Sequence, residues 1–101
     1  MNDFLLDYGI NKDTINKIEK KYNQELLYVF NCNEYEIKKI IDYLKKINII
    51  CIDDILVDYI QIFLKTYQEF LTWFNKYDNE KLVKAINSDY HILDQILKED
   101  S

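Results

Sequence analysis

The chain holds no proline and a single glycine, Gly9, in 101 residues. A β-rich fold of this length needs many tight turns, and those turns draw on Gly, Pro, Asn and Asp to reach their special dihedrals. The sequence is therefore expected to be all-α. The same scarcity excludes glycine-rich phosphate loops, and with them nucleotide binding of the P-loop or dinucleotide-fold kind.

Hydrophobic spacing supports helices. Between Asn33 and Asn48, Ile37, Ile40, Ile41, Leu44 and Ile47 recur at the spacing of one helix face, with Lys38, Lys39, Asp42, Lys45 and Lys46 opposite. Asn33 and Glu36 predict a capping box at its start. Thr66 and Glu69 predict a second one, opening a helix to about Lys76 whose stripe is Tyr67, Phe70, Leu71 and Phe74. The segment from Asp53 to Leu64 is apolar on several sides, so it reads as a helix or helix pair sandwiched between neighbours. Shorter helices are expected over Asp3 to Tyr8, stopped by Gly9, then after a cap at Asn11, and over Gln24 to Phe30. Two more follow Asp78 and Ser88 or Asp89. The total is about eight short helices stacked as two to three irregular helical repeats in one compact domain covering residues 1–101.

The repeat rests on a pattern that occurs three times: Phe4-Leu5-x-x-Tyr8-Gly9, Tyr43-Leu44-x-x-Ile47-Asn48 and Phe70-Leu71-x-x-Phe74-Asn75. Each copy ends on Gly or Asn, the residues that most readily close a helix in the left-handed conformation. New helices then open onto Ile15, Ile55 and Leu82. This arrangement resembles the repeat of the mitochondrial transcription termination factor family, in which an aromatic-Leu-x-x-x-Gly helix end is followed by two shorter helices. The resemblance implies stacked helical repeats and a nucleic-acid-binding function.

The apolar groups are too interrupted for a membrane span, and Met-Asn-Asp-Phe at the start lacks the marks of a secretory signal, so a cytoplasmic protein is expected. Cys32 and Cys51 are then expected to be reduced, with Cys32 a small buried hydrophobe. All thirteen basic residues are lysine, which fits an AT-rich genome such as that of a phage or virus. Chemistry-bearing groups are few. His91 is the only histidine and is expected at the surface, neither cysteine lies in a C-x-x-C pair, and no metal or other cofactor is expected. The acidic pairs Glu34 with Glu36 and Asp53 with Asp54 fall in first turns, where carboxylates meet the helix dipole.

A non-enzymatic binding module follows from this inventory. Nine tyrosines, five phenylalanines and Trp73 supply contact-forming side chains, although most are needed in the core. Residues 1–50 hold eight lysines and eight acids, whereas residues 51–101 hold five lysines and ten acids, so the net charge of −5 arises in the second half. The expected function is that of an adaptor or inhibitor whose acidic half steers a basic partner, such as a nucleic-acid-binding enzyme. Candidate contact residues are Trp73, Asp53, Asp54 and Asp58. The alternative is a small nucleic-acid-binding protein that presents Lys38, Lys39, Lys45 and Lys46 to phosphates.

Overall fold

The structure, a computed structural model, describes residues 4–99. Residues 1–3, on which the leader reading and the start of the first expected helix fall, lie outside the described residues. Eight α-helices follow in order: α1 (Phe4–Asp7), α2 (Lys12–Lys21), α3 (Gln24–Cys32), α4 (Glu34–Lys46), α5 (Ile52–Asp58), α6 (Tyr67–Phe74), α7 (Asn79–Ser88) and α8 (Leu93–Glu99). Two 3-10 segments, Ile60–Leu64 and Tyr90–Ile92, precede α6 and α8. No strand occurs among the described residues. The chain forms a compact all-α domain around one core.

The first two copies of the aromatic-Leu pattern close in the same way. Gly9 takes φ 86° and Asn48 takes φ 68°. In each, two crossed bonds bind the helix end: Ile10 N–H to Leu5 C=O with Gly9 N–H to Leu6 C=O, and Ile49 N–H to Leu44 C=O with Asn48 N–H to Lys45 C=O. These are Schellman caps, and the buried pairs Leu5 with Ile10 and Leu44 with Ile49 supply their usual apolar contact. The third copy departs from the expectation. Asn75 has φ −79°, and α6 ends in successive tight turns with no left-handed residue.

The segment Asp53 to Leu64, expected as a helix or helix pair, is an α-helix followed by a 3-10 helix. The helix breaks at Tyr59 (φ −133°, ψ 49°) and continues as 3-10 turns. Ile55, Leu56, Tyr59, Ile60, Ile62 and Phe63 are all buried, and no single straight α-helix turns so many neighbouring positions to one side. The change of direction lets both halves face the core.

The second helix, α2, lies along α5; α4 packs on α6; and α3 packs on the 60–64 segment. α4 forms the spine, with Ile37, Ile40 and Ile41 fully enclosed and Tyr43 meeting Tyr67, Phe70 and Phe74 edge-on. Phe30 and Phe63, Phe70 and Phe74 are the largest fully enclosed side chains. No described helix is long and apolar enough to cross a membrane.

Candidate functional site

Of the residues proposed for contact, Trp73 is corrected first. It is 3% exposed, beside Phe70 and Phe74, and therefore belongs to the core. The inward stripe of α6 is Phe70, Trp73 and Phe74; Tyr67 and Leu71 flank it half-buried. Lys65 Nζ lies 5.8 Å from the Trp73 ring centroid.

The acids of α5 are engaged within the molecule. Asp53 Oδ2 accepts from Asn11 N–H at 3.0 Å and from the Thr14 hydroxyl at 2.7 Å. It thereby performs for α2 what a capping-box glutamate performs, because the Asn11 side chain makes no cap bond of its own. At the far end of the same helix pair, Asp58 accepts from Lys21 Nζ at 3.2 Å and from the Tyr90 hydroxyl at 2.5 Å. The Tyr90 bond, then Lys21, hold the Asp58 carboxyl below its ordinary range against the opposing effect of burial. Burial, with the carboxylate of Asp94 beside it, pushes the Tyr59 hydroxyl up to about 12. Asp54 is the exposed member of the group.

Other acids of the second half serve as caps. Thr66 and Glu69 form the expected reciprocal box, Asp78 accepts from Lys81 N–H, and Asp89 accepts from His91 N–H. Asn33 and Glu36 do not form theirs. Asn33 Nδ2 instead donates to Phe63 C=O at 2.8 Å and Lys65 C=O at 3.1 Å, and Glu36 accepts from Tyr67 N–H at 2.7 Å. Both side chains reach across to the 60–67 segment, where they pair the Phe63 and Lys65 carbonyls and the Tyr67 N–H.

Three of the four lysines on α4 also have neighbours. Lys45 Nζ donates to Tyr8 C=O at the end of α1, Lys38 lies 5.9 Å from the Tyr8 ring, and Lys39 lies 4.1 Å from the Tyr35 ring and 6.0 Å from that of Tyr67. Lys46 is exposed on the last turn. His91 is exposed, stacked on Tyr90 at 4.3 Å with Nδ1 2.9 Å from Asp89 Oδ1. Cys32 is corrected: it is an exposed free thiol, while Cys51 is half-buried with its thiol pKa raised by burial.

What composition could not locate is where the aromatic surplus emerges. Tyr28 is 71% exposed, Val29 53% and Tyr35 70%. On α3, Glu25, Tyr28, Val29 and Cys32 fall at the i, i+3, i+4, i+7 spacing of one face, and all are exposed, whereas Leu27 and Phe30 point inward. One residue, Asn33, separates α3 from α4, and Tyr35 continues the outward stripe. Leu6 on α1 and Ile50 are the remaining exposed large apolar side chains among the described residues. A signal was present in the sequence: Gln24 to Cys32 carries five apolar residues besides its cysteine, more than one narrow face can bury.

The fold and this surface together define a compact helical domain with an unpartnered aromatic helix face. Comparison with protein-family models, with curated proteins and with solved structures finds no match to this chain.

Proposed function

We propose that the chain is a non-enzymatic protein-binding module, an adaptor or inhibitor, whose contact surface is the outer face of α3 continued through Tyr35. The carrying observation is the exposure of Tyr28, Val29 and Tyr35 on the consecutive helices α3 and α4, three of the five large apolar residues exposed among those described. Tyrosine offers large contact area with a hydroxyl for orientation and few rotors to immobilise, which suits a binding face. Most acids of the second half cap helices or join them, so their steering effect on a basic partner is a long-range consequence of the −5 net charge. The nucleic-acid reading gains less support, because Lys38, Lys39 and Lys45 lie against tyrosine rings or a helix end.

The test is capture by the tagged full chain from its source, side by side with a Tyr28→Asp/Val29→Glu variant of equal helicity. A protein retained in stoichiometric amount by the first and lost by the second is the expected result. Retention unaffected by the variant, or micromolar salt-sensitive binding of nucleic acid that disappears on reversing Lys38, Lys39, Lys45 and Lys46 to Glu, would overturn the reading.

A further inference from the structure

Among the described residues, three buried side-chain atoms meet no hydrogen-bond partner: Asn31 Oδ1, Asn79 Oδ1 and Trp73 Nε1. The two asparagines are half-buried, whereas Trp73 is 3% exposed. Trp73 also supplies the one donor of the three. An indole has a single N–H and no second tautomer, so no reassignment of the ring makes the bond good. A buried indole N–H ordinarily finds an acceptor, and one that does not asks for a reason.

Two spaces border Trp73. The inner one lies in the core, walled only by aliphatic and phenyl side chains such as Leu44, Ile55 and Phe70. Its volume of about 10 Å³ admits one water at most, with no polar side chain to hold it. The outer one is a groove of about 270 Å³ along α6, lined besides Trp73 by Lys65, Gln68, Glu69, Thr72 and Lys76. Of the two, only the groove has polar walls and room for a solute.

The groove is built for negative charge. Gln68, Thr72 and Lys76 follow one another at four-residue steps, the spacing of one helix face, and Lys65 stands just before the cap residue Thr66. Lys65 Nζ lies over the indole ring, and the Lys65 carbonyl is tied by Asn33 Nδ2. Glu69 opposes the two lysines, but its Oε1 accepts from Thr66 N–H at 2.8 Å, and that bond holds its carboxyl below the ordinary range. Thr72 donates its hydroxyl to Gln68 C=O at 3.0 Å and so presents lone pairs to the groove. Two cations to one committed anion make this a locally basic place on a chain of net charge −5.

We propose that the groove is a seat for a small oxyanion of the phosphate class, one of whose oxygens accepts from Trp73 Nε1 while Lys65 and Lys76 neutralise its charge. Phosphate suits the site better than a carboxylate. It carries a second charge for the second lysine, and its tetrahedral oxygens serve a donor in the floor and ammonium groups at the sides at once. The groove lies below the size of a drug-sized pocket, which fits free phosphate or the phosphate group of a small monoester. It uses no residue of the α3 face, so it stands or falls apart from the reading of that surface.

Trp73 is the only tryptophan, so its indole N–H gives a single side-chain signal in a proton–nitrogen correlation spectrum of the full chain. Titration with sodium phosphate, at ionic strength held constant with sodium chloride, should move that signal saturably and slow its exchange with water. Acetate should bind more weakly. Lys65→Gln and Lys76→Gln, each of unchanged helical circular dichroism, should weaken phosphate about tenfold, the loss expected for one charge-assisted hydrogen bond. Lys46→Gln, at an exposed lysine outside the groove, should leave binding as it is.

A parallel titration with glycerol 3-phosphate separates the sources: tighter binding than inorganic phosphate assigns the seat to monoesters, and weaker binding assigns it to the free anion. An indole signal that stays in place throughout overturns the site. So does a shift that Lys65→Gln leaves intact, or one that Lys46→Gln weakens as much, since binding would then follow the general charge of the surface.

Discussion

Gly9 and Asn48 perform the same backbone task with different tolerance. Both sit at positive φ and close a Schellman cap, but Gly9 also has Lys45 Nζ 3.2 Å from where a Cβ would stand. Left-handed backbone costs an ordinary L-residue about 1–2 kcal/mol. Gly9→Ala and Asn48→Ala should each lose roughly that amount in urea unfolding, about 1–2 kcal/mol, while Asn48→Gly changes stability little. Equal stability of all three variants would contradict the assigned caps. Core residues should cost more: Leu44, enclosed between Tyr43's ring cluster and the α7–α8 side, should lose about 2–5 kcal/mol as Leu44→Ala. At this scale the sequence was legible wherever a residue acts on its own neighbours, as Thr66, Asp78 and Gly9 do. It was misleading where spacing alone was used to judge exposure. Trp73 stood beside the expected stripe of α6 and proved to be part of it; Cys32 stood in an apolar segment and proved to face outward, because α3 turns Leu26, Leu27 and Phe30 to the core and Cys32 to the opposite face.

Between elements, the connections run through single polar side chains with distant partners. Asn33 joins the α3–α4 junction to the end of the 60–64 segment by two donated bonds, and Glu36 covers the first N–H of α6. Asn87 does the same for the loop after α4, donating to Asn48 C=O and accepting from Ile50 N–H. No spacing rule could have located these ties, since the separations are 30 residues or more and the same Asn–x–x–Glu motif is equally suited to a local box. Asn33→Asp keeps the shape, removes the amide donors and places a carboxylate against two carbonyls. Loss of about 1–3 kcal/mol is expected for leaving such groups unpaired, with Thr66→Ala, which removes only a local cap, nearer 1 kcal/mol. Thermal unfolding of the two variants side by side distinguishes them; an Asn33→Asp protein as stable as the wild type would remove the tie from the account.

Across the whole molecule, Asp58 is the point where the first and last parts of the chain meet, through Lys21 on α2 and Tyr90 before α8. Its carboxyl titrates lower in the folded state than in the unfolded one, so its contribution is present above the ordinary value of 3.8 and is lost as pH falls through the depressed folded value. Tyr59 works in the opposite sense: its raised pKa makes the contribution complete below pH 10.0 and lost as pH climbs toward about 12. The melting temperature should therefore fall below pH 4 more steeply in the wild type than in Asp58→Asn, and fall again above pH 10 less steeply in Tyr59→Phe. Identical acid limbs for wild type and Asp58→Asn would dismiss the carboxylate as a tie. The all-α class and the number of helices were legible from Gly9, the absent prolines and the periodicities, whereas the candidate contact face was not, because exposure of Tyr28 and Tyr35 depends on which neighbours α3 finds. A further consequence follows from the place of Asp53, forty-two residues beyond the Asn11 N–H that it accepts. During synthesis α2 emerges with its leading N–H unsupported, and the residue that completes it is made only after α3 and α4. The second helix thus gains this cap only once α5 has been made, and a ribosome stalled before Asp53 would hold a nascent chain whose α2 lacks it.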